Sequence, residues 1–98
     1  MATAYLGLGS NVGDRARFIA AALARLEAAG VAIEARSSLY ETDAVADEPP
    51  DLVVPHPRLL RRPFVRIPLA EVAAPGLVHP LTGEPLDRAS PAASVRLL

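Results

Sequence analysis

All ten prolines of this 98-residue chain lie at or after Pro49. Proline lacks a backbone N–H and fixes φ, so helix interiors and central strands exclude it. The first 48 residues are therefore free to build continuous elements. The last 50 are predicted to run as short, punctuated segments.

Within the first half, residues Ala2 to Leu8 alternate as a strand does, with Ala4, Leu6 and Leu8 on one face and Tyr5, Gly7 and Gly9 on the other. Gly7, Gly9 and Gly13 then open the backbone at a sharp turn, a construction suited to an active-site floor or a phosphate cradle. Asp14 offers an N-cap to a helix over Arg15–Ala29, where Ile19, Leu23 and Leu26 share a face and Gly30 stands ready as the C′ residue. Val31–Glu41 alternates again and predicts a half-buried strand. The unit reads as β-turn-α-β. It is not a dinucleotide fingerprint: the third glycine comes one place late, and Asp14 would repel a pyrophosphate at the helix start.

In the second half, Asp47-Glu48-Pro49-Pro50-Asp51 breaks the chain. Pro63–Ala74 predicts a short helix with Pro63 in its first turn, Pro68 limiting its length, and Val65, Leu69 and Val72 on one face. From Pro75 to Leu98 a loop, a turn at Thr82-Gly83 and an irregular tail are expected.

The length predicts one small domain with a thin core. No apolar run approaches the roughly 18–20 residues of a membrane span, and no basic leader opens the chain. There is no cysteine, so disulfides and thiolate metal sites are excluded. A cytoplasmic protein is expected. The net charge of −1 gives no general pull toward nucleic acid or membrane, and neither is expected as a partner.

Charge distribution says more. Arg58, Arg61, Arg62 and Arg66 fall between Leu52 and Ala70 without a single carboxylate, and the chain has no lysine. Every side-chain cation outside the histidines is thus a planar guanidinium able to grip a phosphate with two bonds. His56 sits between Pro55 and Pro57, whose fixed backbones would aim the imidazole and the arginines at low entropic cost. Two readings stay open: an anion site, or a structural X-Pro loop whose histidine caps a carbonyl. His79 reads as surface or loop. Asp43, Asp47, Glu48 and Asp51 form an acidic cluster without the D-x-D spacing that puts two carboxylates on one strand face, so they read as a solvated linker. No Ser/His/Asp set stands out, and aromatics are too few for a nucleic-acid stacking surface.

Three segments converge: Ala4–Arg15 (AYLGLGSNVGDR), Arg36–Thr42 (RSSLYET) and Leu52–Pro80 (LVVPHPRLLRRPFVRIPLAEVAAPGLVHP). Together and in this order they resemble 6-hydroxymethyl-7,8-dihydropterin pyrophosphokinase of folate synthesis. The resemblance covers most of residues 4–86, and Asp87–Leu98 matches poorly. Such enzymes move the terminal diphosphate of Mg-ATP onto the pterin hydroxymethyl group and release AMP. The resemblance implies an α+β, ferredoxin-like sandwich. It implies that Thr42 hydrogen-bonds the pterin, that Phe64 stacks on it, and that the Ser10-Asn11 turn shapes the floor. It implies that His56, Arg58 and Arg62 meet the ATP phosphates, His56 and Arg62 acting as the catalytic pair.

Relative to that family a central block is missing, with the junction near Asp51–Val53. The block would carry a strand with a pterin-binding Asn, a helix, an arginine-rich loop and the D-L-D pair that holds Mg²⁺. Ala44 and Ala46 also replace a usual proline and glycine. A single shortened domain over 1–98 is expected, with β-α-β over 1–46, a junction over 47–52, and the phosphate and pterin loop, short helix and tail over 53–98. With no metal ligands left, transition-state stabilisation should fall by several kcal/mol, or several powers of ten in rate. Strand edges left unpaired by the lost strand would favour self-association.

Overall fold

The computed structural model describes residues 3–9, 14–42 and 54–98. They fall into two units, Met1–Arg36 and Ser37–Leu98.

In the first unit, α1 spans Arg15–Ala28. Asp14 caps it, its carboxylate accepting the Arg17 N–H at 3.2 Å. The far end closes by a Schellman pattern. Gly30 N–H donates to Glu27 C=O and Val31 N–H to Leu26 C=O, each at 3.0 Å, with Gly30 at φ 92°. Only glycine reaches that φ without strain.

The flanking strands differ from expectation. Residues 3–9 are irregular and exposed, and 31–39 form no ladder. Strand pattern is a side-chain property, whereas a strand exists only when its N–H and C=O groups find a partner chain. Among the described residues neither segment is part of a strand, and of 31–39 only Leu39 C=O meets the sheet. The division after Arg36 also cuts through the expected second strand.

In the second unit, β1 is Tyr40–Thr42, and it pairs antiparallel with β2, Val95–Leu97. The register sets Tyr40 opposite Leu97, Glu41 opposite Arg96 and Thr42 opposite Val95. The Leu98 N–H extends the ladder to Leu39 C=O at 3.0 Å. The tail expected to be irregular thus supplies half of this sheet. A 3₁₀ turn over Leu59–Arg61 leads into α2, Pro63–Val72, with Pro63 at its start and Pro68 inside. Pro68 was expected to limit the helix, yet four helical residues follow it. The helix ends at Ala73, whose N–H bonds Leu69 C=O at 2.9 Å.

α2 packs against β1, β2 and the 3₁₀ turn. Glu71 near its end receives the Ser38 N–H at 2.9 Å and the Tyr40 hydroxyl, tying the β1 approach to the helix. Residues 77–86 fold back as a tight hairpin: His79 N–H donates to Glu84 C=O and Gly83 N–H to His79 C=O, both at 2.8 Å, and Leu86 N–H to Leu77 C=O at 2.9 Å. Val78 and Pro85 form an antiparallel bridge there. The expected turn at Thr82-Gly83 is its tip, with Gly83 at φ 77°.

Among the described residues Leu86 is the one buried apolar residue, while Leu6, Phe18, Leu81 and Leu97 stand exposed. The expected α+β class holds, as two helices and a two-stranded antiparallel sheet. No described helix is long and apolar enough to cross a membrane.

Candidate functional site

The stretch from His56 to Phe64 brings four of the expected residues onto one short piece of backbone. His56 opens it. Its Nδ1 accepts the Arg58 N–H at 3.1 Å, and its carbonyl accepts the Leu59 N–H at 3.1 Å. Pro57 between them leaves the Arg58 N–H as the first available donor. Because Nδ1 is an acceptor, the neutral ring carries its proton on Nε2, the nitrogen turned away from this turn's backbone. The histidine does structure the loop, through an N–H and not through the carbonyl that was one of the two open readings.

Arg58 is half-buried, and its carbonyl takes the Arg61 N–H at 3.1 Å. The 3₁₀ turn then delivers Arg62 in an extended conformation at the helix start. Arg62 is only 8% exposed, and its guanidinium carbon lies 5.4 Å from the Phe64 ring centre. A guanidinium at this range is held by the negative face of the ring. Two of the expected site residues, Arg62 and Phe64, are therefore in contact with each other. Thr42 lies at the end of β1, half-buried, on the strand that packs against α2. Ser10 and Asn11 lie outside the described residues, as do Asp43, Asp47, Glu48 and Asp51.

His79, expected at the surface or in a loop, lies in a loop but not at the surface. It is 6% exposed, and its Nδ1 accepts the N–H groups of Leu81 and Thr82 at 3.2 and 3.3 Å. His56 and His79 thus use one device, a His-Pro pair whose imidazole accepts the N–H two residues on. At His79 the ring is sealed into the hairpin, which makes it structural.

Magnesium finds no match in the described donor set. Glu71 is bonded to Ser38 and Tyr40, Glu84 pairs with Arg66 at 3.8 Å, and Glu27 with Arg36 at 2.8 Å. Asp87 accepts the Gly76 N–H at 2.8 Å and faces Arg88 at 3.5 Å. That backbone bond above all, and the Arg88 charge after it, hold its carboxyl below the ordinary 3.8. No three potential ligands cluster among the described residues. Hard divalent cations need several convergent oxygens.

Sequence reasoning overlooked Glu71 and Asp87. Their partners, Tyr40 and Gly76, stand 31 and 11 residues away, so no local pattern announces them.

Residues 5–52 match the family model of 7,8-dihydro-6-hydroxymethylpterin-pyrophosphokinase. A 2-amino-4-hydroxy-6-hydroxymethyldihydropteridine pyrophosphokinase of Methylorubrum extorquens is 46% identical over 52 residues, covering 52% of this chain and 33% of the relative. One from Aquifex aeolicus is 54% identical over 44 residues, covering 45% and 27%. The chain thus spans about a third or less of these relatives. The folic acid synthesis protein fol1 of Pneumocystis carinii is 26% identical over 137 positions, covering 81% of this chain and 18% of the relative. That match is longer than the 98-residue chain itself, so it closes only across a long gap in this chain. No solved structure matches. Residues 5–52, then, are a segment of the 7,8-dihydro-6-hydroxymethylpterin-pyrophosphokinase family.

Proposed function

We propose that this is a shortened pterin pyrophosphokinase. Its inherited reaction is transfer of diphosphate from ATP to 6-hydroxymethyl-7,8-dihydropterin with release of AMP, and this chain performs it weakly or not at all. The fold proposed is an incomplete ferredoxin-like sandwich, one domain over 1–98, working in the cytoplasm.

The observation that carries the reading is the Arg62–Phe64 pair, on the same short stretch of chain as an oriented His56. A guanidinium on one face of Phe64 leaves the reading to place the pterin on the other. In this arrangement Arg62 and Arg58 grip phosphate oxygens, His56 donates from Nε2, and Thr42 hydrogen-bonds the pterin edge, with Ser10 and Asn11 as floor. Mg²⁺ would accompany ATP in the family reaction, but no three potential ligands cluster among the described residues, and Glu71, Glu84 and Asp87 are engaged elsewhere. Loss of metal stabilisation is why slow turnover is proposed.

The test is AMP release from Mg-ATP with and without the pterin. Release several powers of ten below that of full-length relatives is expected. Turnover near theirs overturns the impairment.

A second reading, a non-catalytic binder of pterin or ATP, is favoured by the same contrast between an assembled Arg62–Phe64 pair and engaged carboxylates. Calorimetry decides it, and no heat with either ligand removes it. A third, self-association, is favoured by the exposed Leu97 on β2. Light scattering from a clean monomer counts against that one.

A further inference from the structure

A cavity of about 480 Å³ lies between the 3₁₀ turn with the first turn of α2 and the segment 85–90. Arg61, Arg66 and Arg88 line it together with Ser90, and Leu60 and Pro85 supply apolar wall. None of His56, Arg58, Arg62, Phe64 or Thr42 takes part, and no carboxylate lines it.

The three cations are held differently. Arg66 is fixed: one terminal nitrogen donates to Pro85 C=O at 3.2 Å and the other faces Glu84 at 3.8 Å. Its Nε is shut off from solvent with no partner among the described residues. Arg61 is exposed and has no ion pair among the described residues. Arg88 meets Asp87 only through Nε at 3.5 Å, which leaves its terminal fork without a bond among the described residues. Asp87 is itself drawn away by the Gly76 N–H. Three positive charges thus face two off-cavity carboxylates.

Like charges around one hollow repel unless an anion joins them. Guanidinium forks suit phosphate oxygens, and a hollow of this size fits a small molecule. The geometry points to a second binding site, for a small phosphate-bearing ligand, in which Arg66 is the fixed anchor, Arg61 and Arg88 close on the phosphate oxygens, and Ser90 donates its hydroxyl. Leu60 and Pro85 would cover the organic part of the ligand.

The probe is inorganic pyrophosphate without metal, titrated into the full chain at low salt, with sulfate at matched ionic strength as control. Arg61→Gln and Arg88→Gln change exposed side chains and spare the fold. Each is expected to weaken pyrophosphate binding roughly tenfold. Pyrophosphate should also shift the amide resonances of Ala89 and Ser90 in the unmodified chain. Unchanged affinity in both variants, sulfate binding as tightly as pyrophosphate, or unmoved Ala89 and Ser90 amides overturns the site. AMP release tests the pyrophosphokinase reading separately, so the two fail independently.

Discussion

The guanidinium of Arg62 rests over the ring of Phe64, 5.4 Å from its centre, on a side chain that is almost fully buried. A buried cation without a counter-surface would be costly, and the ring face supplies part of that surface. Arg62→Met keeps the volume and removes the charge. It is expected to lower stability by about 1–2 kcal/mol. Arg62→Lys should restore only part of this, since an ammonium lacks the planar face. Urea denaturation midpoints check both.

His79 serves the hairpin as an acceptor. His79→Leu leaves the Leu81 and Thr82 N–H groups without their partner and is expected to cost about 2 kcal/mol. His79→Asn places an amide oxygen near the Nδ1 position and should recover much of the loss. Thermal unfolding of the pair reads the difference, and equal losses would contradict the acceptor role.

Glu71 joins α2 to the β1 approach through Ser38 and Tyr40. A double-mutant cycle with Tyr40→Phe and Glu71→Gln should give a coupling of about 1 kcal/mol. The Ser38 amide should lose hydrogen-exchange protection in Glu71→Ala while amides within α1 keep theirs.

Asp87 carries the acid sensitivity that the described residues define. Its carboxyl is lowered from 3.8, first by the Gly76 N–H and then by Arg88. A lowered carboxylate contributes stability that is complete above its unfolded value and is lost as pH falls through the lower folded one. Stability should therefore drop on acidification below 3.8, and Asp87→Asn should flatten that limb. Denaturation midpoints measured across this range check it.

Gly30 ends α1 at φ 92°, where a side chain meets strain from its own backbone. Gly30→Ala is expected to destabilise by about 1 kcal/mol, read by circular dichroism melting of helix.

Local chemistry in this chain is legible in the residues alone. Asp14, the alanine-rich run and Gly30 define α1 to within a residue because capping, propensity and the C′ glycine act over a few positions. Pro63 starts α2 for the same reason. The His56–Phe64 stretch stands out because proline and arginine placement alone stiffen and charge it.

Strands are another matter. Residues 3–9 and 31–39 alternate well, yet they remain irregular, while the unremarkable 95–97 forms β2. Alternation states which face would be buried; only a partner with open N–H and C=O groups makes a ladder. The burial of His79 and the engagement of Glu71 and Asp87 likewise depend on groups distant in sequence. What the order of residues determined by itself was caps, turns, helix spans and the charge of one loop, since these forces act within a turn or two. Which backbones pair, which carboxylates are taken, and where three arginines share one hollow were decided by tertiary packing, because those forces act only between segments already brought together.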